Sequence, residues 1–214
     1  MKVVLIHHAQ VDMKWEQTYT SEAFDQACRD YELADIKRPV PESRKDAKAW
    51  HIYVSPSVHA GRTAEALFEG TVPEEWKEIG EVPIHSFCDT NKQLPTWLWR
   101  AAGRLQWLLG NPRQPEVRSQ SIARAEETVK RLEERNQDCV LVTHGLFLRT
   151  LLRAFRRKGY CITSSRLFGS KPLDRFRAAK WSDHCGGCQH NCLLSNPGCQ
   201  IGRDKAKRRS KDRF

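Results

Sequence analysis

Val140-Leu141-Val142-Thr143-His144-Gly145 is an apolar, β-branched run that stops on a histidine and a glycine, after which Leu146 opens a helical spacing. A short continuous run of this kind, bounded by a turn signal, reads as a strand buried on both faces, as in a parallel sheet. The chain opens in the same manner, with Val3-Val4-Leu5-Ile6 leading directly into His7-His8. Parallel α/β sheets bind ligands beyond the carboxyl ends of their strands. If these two strands are neighbours, both histidines point at one crevice.

Working outward, Trp50-His51-Ile52-Tyr53-Val54 reads as a further strand, and Ser55-Pro56 after it is a helix-start pair, the helix continuing from Thr63 to Phe68. Trp15 to Thr20 read as a loop near the crevice. Ser21 is placed to cap a helix that carries Phe24, Ala27, Tyr31 and Ala34 on one face. Lys37 to Lys48 is polar and reads as loop. A short strand is expected near Trp76–Val82, then a tryptophan-rich helix within Leu94–Leu109, stopped by Gly110-Asn111-Pro112. Ser119 or Ser121 should cap a helix with Ile122, Ala125, Val129 and Leu132 at helical spacing. Cys139–Thr143 is expected to be the final core strand, followed by a helix through Leu148, Leu151, Leu152 and Phe155 that ends at Gly159. Strands alternating with helices predict an α/β fold: a mostly parallel sheet covered by helices on both faces.

The 214 residues suffice for one such domain with a core and a small appendage. Hydrophobic residues at 39% and charged residues at 29% suit a soluble globular chain. The apolar stretch Trp97–Leu109 is too short, and too interrupted by Arg100 and Arg104, to span a bilayer. With no basic-then-apolar leader before the first strand, the default expectation is a cytoplasmic location. About half of the net charge of +10 comes from the end, where Arg203 to Arg213 holds seven Lys/Arg against Asp204 and Asp212. Residues 203–214 therefore read as a solvated, disordered basic tail, with an acidic partner or nucleic acid as the alternative use.

A histidine at a strand end is more often a structural hydrogen-bonder than a catalyst. Two at equivalent strand ends, with a capped helix entering the same region, favour function. The chemistry that suits them is phosphoryl transfer: a neutral imidazole attacks phosphorus and holds the group covalently, while helix-terminal amides steady the oxygens.

These residues resemble the histidine phosphatase superfamily, which includes the cofactor-dependent phosphoglycerate mutases. The family's strand followed by Arg-His-Gly corresponds to Leu5-Ile6-His7-His8-Ala9-Gln10. Its Ser-Pro-Leu-x-Arg-Ala-x-Gln-Thr-Ala block corresponds to Ser55-Pro56-Ser57-Val58-His59-Ala60-Gly61-Arg62-Thr63-Ala64, and its Ser-His-Gly to Thr143-His144-Gly145. The resemblance implies a phosphoglycerate mutase-like fold over residues 1–180, hydrolysis of a small-molecule phosphomonoester, His8 as the nucleophile, and His144 as the second pocket histidine. The family's general acid is a glutamate between the second and third blocks. Ile79-Gly80-Glu81-Val82-Pro83 matches it best, which makes Glu81 the expected proton carrier and Asp89 the reserve; a solvated loop carboxylate is the plain alternative for either.

Both clamp arginines of the family are absent, with His7 and His59 in their places. Arginine supplies a permanent charge and a bidentate fork; histidine supplies fewer donors and a pKa near neutrality. Losing these contacts would remove on the order of 2–4 kcal/mol of transition-state stabilisation per donor set. Three readings follow. Arg62, one turn beyond His59, and protonated His7 and His59 hold phosphate, with activity rising at mildly acidic pH. Or catalysis is weakened or lost, leaving a binding or regulatory module. Or His7, His8, His59 and His144 gather into a metal site, since neutral imidazole suits zinc, nickel or copper; against this, adjacent strand residues point to opposite faces.

Cys28, Cys88, Cys139 and Cys161 are scattered and read as small buried or half-buried residues. Cys185, Cys188, Cys192 and Cys199 are clustered in residues 181–202, and Gly186-Gly187 permits a tight turn between the first two. Structural zinc in a small appendage is the first expectation, an iron–sulfur cluster the alternative, and free thiols the plain reading. Trp97, Trp99 and Trp107 read first as core packing; as a lid or apolar wall they would suit a bulky, partly apolar phosphomonoester.

Overall fold

The computed structural model describes residues 1–38, 50–164 and 173–180. Strand β1 (Lys2–His7) runs parallel to β6 (Cys139–Thr143), with Val3 opposite Cys139 and His7 opposite Thr143. Beyond β6 lies β3 (His51–Val54), also parallel, with Val54 opposite Val142. A two-residue strand, β4 (Glu74–Glu75), pairs with β3 at that edge. On the other side of β1, β8 (Arg175–Lys180) and β7 (Tyr160–Ser164) pair in antiparallel fashion. The six-stranded sheet has the order β4-β3-β6-β1-β8-β7, and a separate pair joins β2 (Thr18–Tyr19) to β5 (Leu94–Pro95).

Side chains alternate across a pleated strand, and the sheet sorts them accordingly. Val4, Ile6, Ile52, Val54, Val140 and Val142 pack on one face against Ala60, Ala64 and Leu67 of helix α2 (Val58–Leu67). Val3, Leu5, Tyr53 and Leu141 pack on the other face against α4 (Arg118–Arg135) and α5 (Gly145–Arg157), which contribute Val129, Leu132, Phe147, Leu151 and Phe155. Each such fully buried side chain is worth ~1.5–3 kcal/mol relative to exposure, so α5 is firmly anchored by its apolar face. Helices α1 (Ser21–Leu33) and α3 (Thr96–Leu109) meet around Phe24 and Trp99, whose rings stack at 5.6 Å. Gly103 lets α3 approach the Ile84–His85 segment: a Cβ there would lie 2.9 Å from the Ile84 side chain and 3.1 Å from the His85 carbonyl.

The mostly parallel, helix-covered α/β sheet is thus observed, with several corrections. Cys139–Thr143 is not the last core strand, because β7 and β8 follow it. The alternating arginines of β8, in Arg175-Phe176-Arg177, hid it from a search for apolar runs. No strand spans Trp76–Val82. Trp76, Ile79 and Val82 are buried at intervals of three, which suits the 3-10 turn Lys77–Ile79 rather than period two. Thr20 caps α1 in place of Ser21, and Ser57 caps α2 rather than Ser55. Neither Ser119 nor Ser121 caps α4. Val117 precedes that helix, and buried Ser121 instead accepts the Trp107 indole N–H at 3.0 Å. Trp99 and Trp107 are core residues, whereas Trp97 is exposed. Cys139 and Cys161 are buried, and Cys28 and Cys88 half-buried. Among the described residues no helix is long and apolar enough to cross a membrane.

Candidate active site

The register of the three central strands builds the site. Val54 and Ile6 both stand level with Val142, so Ser55, His8 and His144 emerge together at the carboxyl ends. The backbone ladder runs on beyond the strands: His8 N–H donates to the Thr143 carbonyl at 3.0 Å and Ser55 N–H to the Val142 carbonyl at 3.1 Å. His8 and His144 share the even parity of Ile6 and Val142, and so face α2, whose first turn carries His59. The three rings meet there: His8 to His59 centroids lie 4.3 Å apart, His8 to His144 4.9 Å, and His59 to His144 5.1 Å. His7 has the opposite parity, but its ring still meets the His8 ring edge-on at 4.6 Å, because the chain leaves the strand at this point.

Hydrogen bonds fix the orientation of the rings. His8 Nδ1 lies 2.7 Å from the Ala9 carbonyl. A carbonyl only accepts, so Nδ1 carries the proton and Nε2 keeps its lone pair. The Ala9 N–H in turn donates to Thr63 Oγ1 at 2.9 Å, tying the histidine loop to α2. His144 Nε2 is 2.6 Å from Ser55 Oγ and 3.4 Å from Ser57 Oγ, while its Nδ1 faces His59 Nε2 at 3.3 Å.

The cluster is sealed. His59 and His144 are fully buried, His8 is 5% exposed and His7 9%. Burial penalises the imidazolium, and His59 and His7 add like-charge repulsion, so the His8 pKa drops to about 3. Burial likewise takes His59 down to about 4 and holds His144 well below its ordinary value. All three are therefore neutral at mildly acidic pH, so His59 does not carry the charge that the lost guanidinium would have supplied at its position. Arg62 does not replace it either. Its side chain is about half exposed on the outer side of α2 and pairs with Glu65 at 2.9 Å.

Beside the cluster lies a cavity of about 790 Å³ whose wall includes Ser55 and Ser57, the partners of His144, though none of the four histidines lines it. Its apolar side is formed by Trp15, Tyr31, Pro83 and Ile84, and its charged side by Glu32, Glu81, Arg100, Arg104 and Arg149. The Glu81 carboxylate sits at the start of α5, accepting the Phe147 N–H at 3.2 Å and the Val82 N–H at 2.8 Å. Glu32 belongs to the site and was not expected. Burial, then repulsion from Glu81, pushes its pKa up to about 7. Nothing local in the sequence marks it, since only the packing of α1 brings it opposite Glu81. Asp89 is exposed and pairs with Arg113, away from the cavity. Burial pushes the Cys28 thiol up to about 12, so this cavity residue is no nucleophile. Cys185, Cys188, Cys192, Cys199 and the basic tail lie outside the described residues.

The model of the histidine phosphatase superfamily (branch 1) matches residues 4–163. The chain belongs to that superfamily. The match takes in all three histidine-bearing blocks, including the two positions where histidine stands for arginine. A search of curated proteins gave no match. Among solved structures, the chain is similar to a phosphoserine phosphatase variant from Entamoeba histolytica in complex with phosphoserine: 15% identity, 73% of this chain and 80% of that one, TM-score 0.45. It is also similar to the alpha-ribazole phosphatase of Shigella flexneri, at 18% identity, 72% and 79% coverage and TM-score 0.46. A mycobacterial glucosyl-3-phosphoglycerate phosphatase gives 20% identity, 73% and 79% coverage and TM-score 0.44.

Proposed function

We propose that this histidine phosphatase-family chain hydrolyses a phosphomonoester through a phosphohistidine on His8. The observation that carries the reading is the His8 tautomer: Nδ1–H is held by the Ala9 carbonyl, and burial keeps Nε2 unprotonated, which is the state a nucleophile needs. In the first step His8 Nε2 forms a bond to phosphorus as the ester P–O bond breaks. The leaving oxygen takes the proton from the carboxyl group of Glu81. In the second step Glu81 takes a proton from water, whose oxygen attacks phosphorus, and the P–N electron pair returns to His8. His144, held by Ser55, contacts the transferred group, and His7 and His59 stand where the family places its clamp.

The volume of the cavity and its Trp15–Tyr31–Ile84 wall favour a bulky, partly apolar phosphomonoester over phosphoglycerate. A cytoplasmic small-molecule substrate is consistent with this reading. Structural zinc on Cys185, Cys188, Cys192 and Cys199 belongs to the same proposal and rests on their spacing alone.

One observation favours the weakened-enzyme reading. His59 and His144 contact each other directly at 3.3 Å, where a transferred phosphoryl group would need room. Turnover of a generic aryl phosphate from pH 4 to 9, with His8→Ala beside the unaltered chain, decides between them. The expected result is slow turnover, lost by at least about a thousandfold in the variant with its melting profile kept. Absence of turnover across the range, or turnover unchanged in the variant, would leave a non-catalytic binding module.

A further inference from the structure

We infer that His8, His59 and His144 form a binding site for a divalent transition-metal ion, zinc foremost, which engages the lone pair that phosphoryl transfer requires. One ring nitrogen from each of the three lies within 4.8 Å of the other two, and all three residues are buried. The His59 Nε2 to His144 Nδ1 separation is 3.3 Å. Zinc–imidazole bonds of ~2.0–2.1 Å set neighbouring nitrogens of a tetrahedron about 3.3–3.4 Å apart. That pair therefore already spans one edge of such a site. The widest remaining gap closes by on the order of 1.4 Å, within reach of side-chain rotation.

The surroundings match as well. A ligating histidine normally donates its other ring N–H to a carbonyl or a hydroxyl, which fixes the tautomer and the ring. His8 does so with Nδ1 at the Ala9 carbonyl, leaving Nε2 to ligate. His144 is arranged likewise, with Nε2 at Ser55 Oγ and Nδ1 turned toward His59. His59 Nδ1 is buried without a hydrogen bond of good geometry, and the backbone of Tyr31 and Ala34 lies within interaction range of the ring. Three neutral imidazoles suit zinc, copper or nickel and suit magnesium or calcium poorly. Arginine carries only donors and cannot ligate. Histidine at position 59 thus turns an anion clamp into the third corner of a cation site. The site stands on this geometry alone; only its inhibitory consequence rests on the phosphohistidine reading, because an ion on His8 Nε2 leaves no lone pair for phosphorus.

The test titrates the full chain with cobalt(II), then displaces it with zinc(II). All four of Cys185, Cys188, Cys192 and Cys199 are changed to serine, so that thiolates do not take the probe. One cobalt per chain is expected, with a visible ligand-field band and no thiolate charge-transfer band. His59→Gln in the same background should weaken binding at least about a hundredfold. Crystals of the unaltered chain soaked in zinc should show an anomalous peak among the three rings, a measurement that does not depend on the variant folding. Binding unaffected by His59→Gln, or a zinc peak elsewhere with none at the rings, overturns the site. Zinc should also suppress aryl phosphate turnover, reversibly on chelation. A chain with no turnover refutes the phosphohistidine reading, while the titration and the anomalous peak still decide the metal site.

Discussion

The histidine floor and the cavity beside it are built on opposite electrostatic principles. The floor has four imidazoles and almost no exposed surface, and burial keeps His8, His59 and His144 uncharged at neutral pH. The cavity wall has Arg100, Arg104 and Arg149 beside Glu32 and Glu81. On the proposed function, the nucleophile sits in the neutral floor and the permanent cations line the cavity wall. A shorter, neutral ring can be buried against its neighbours, whereas a guanidinium keeps its charge and needs an anion or water.

Returning charge to the floor gives the largest expected effect. The double variant His7→Arg/His59→Arg should raise kcat/KM for an aryl phosphate by about 10²–10³ per productive contact, provided that melting shows the fold intact. An unchanged rate would mean that the wall arginines already supply the charge.

Next comes the pH dependence of stability. His8 and His59 titrate lower in the folded chain than in the unfolded chain, so below about pH 6.5 the unfolded chain binds more protons. The stability these histidines confer is complete above that pH and is lost as pH falls toward about 4 and then 3. Each pH unit costs about 1.4 kcal/mol per fully linked histidine. Glu32 acts with the opposite sign, since its folded pKa of about 7 makes ionisation unfavourable as pH rises from 4.5 through 7. Melting temperature should fall steeply in acid, and Glu32→Gln should stabilise the chain above pH 7 by about 1 kcal/mol after allowance for water in the cavity. A flat melting profile from pH 7 to 4 would show that the floor is wetter than its burial indicates.

The smallest effect is expected from Arg62→Ala, within about 0.5 kcal/mol in stability and without change in kcat/KM. Loss of turnover there would mean that α2 rotates to bring this side chain inward.

Much of the architecture was legible because the central strands are continuous apolar runs. Val3–Ile6, Ile52–Val54 and Val140–Thr143 are buried on both faces, so their composition alone marks them. β8 escaped because it alternates arginines with apolar residues, and Trp76–Val82 misled because a three-residue period of burial resembles a short apolar strand when counted by content. In the site, His7, His8, His59 and His144 were legible from three ordered blocks and do come together. Arg62 was misjudged: one helical turn from His59 is the right distance, but the side chain leaves α2 on its solvent side, toward Glu65. Glu32 was invisible because its environment is made by a residue some fifty positions away.

What the sequence determined by itself is local and periodic: which runs are strands, which residues end them, and hence that His8 and His144 emerge at strand ends with matching parity. What only the tertiary structure decided is how the imidazoles meet and what charge they carry. Parity gives the face of a sheet, but inter-ring distance, burial and proton affinity depend on every group that excludes water from the cluster, and these come from β1, β3, β6 and α2 together.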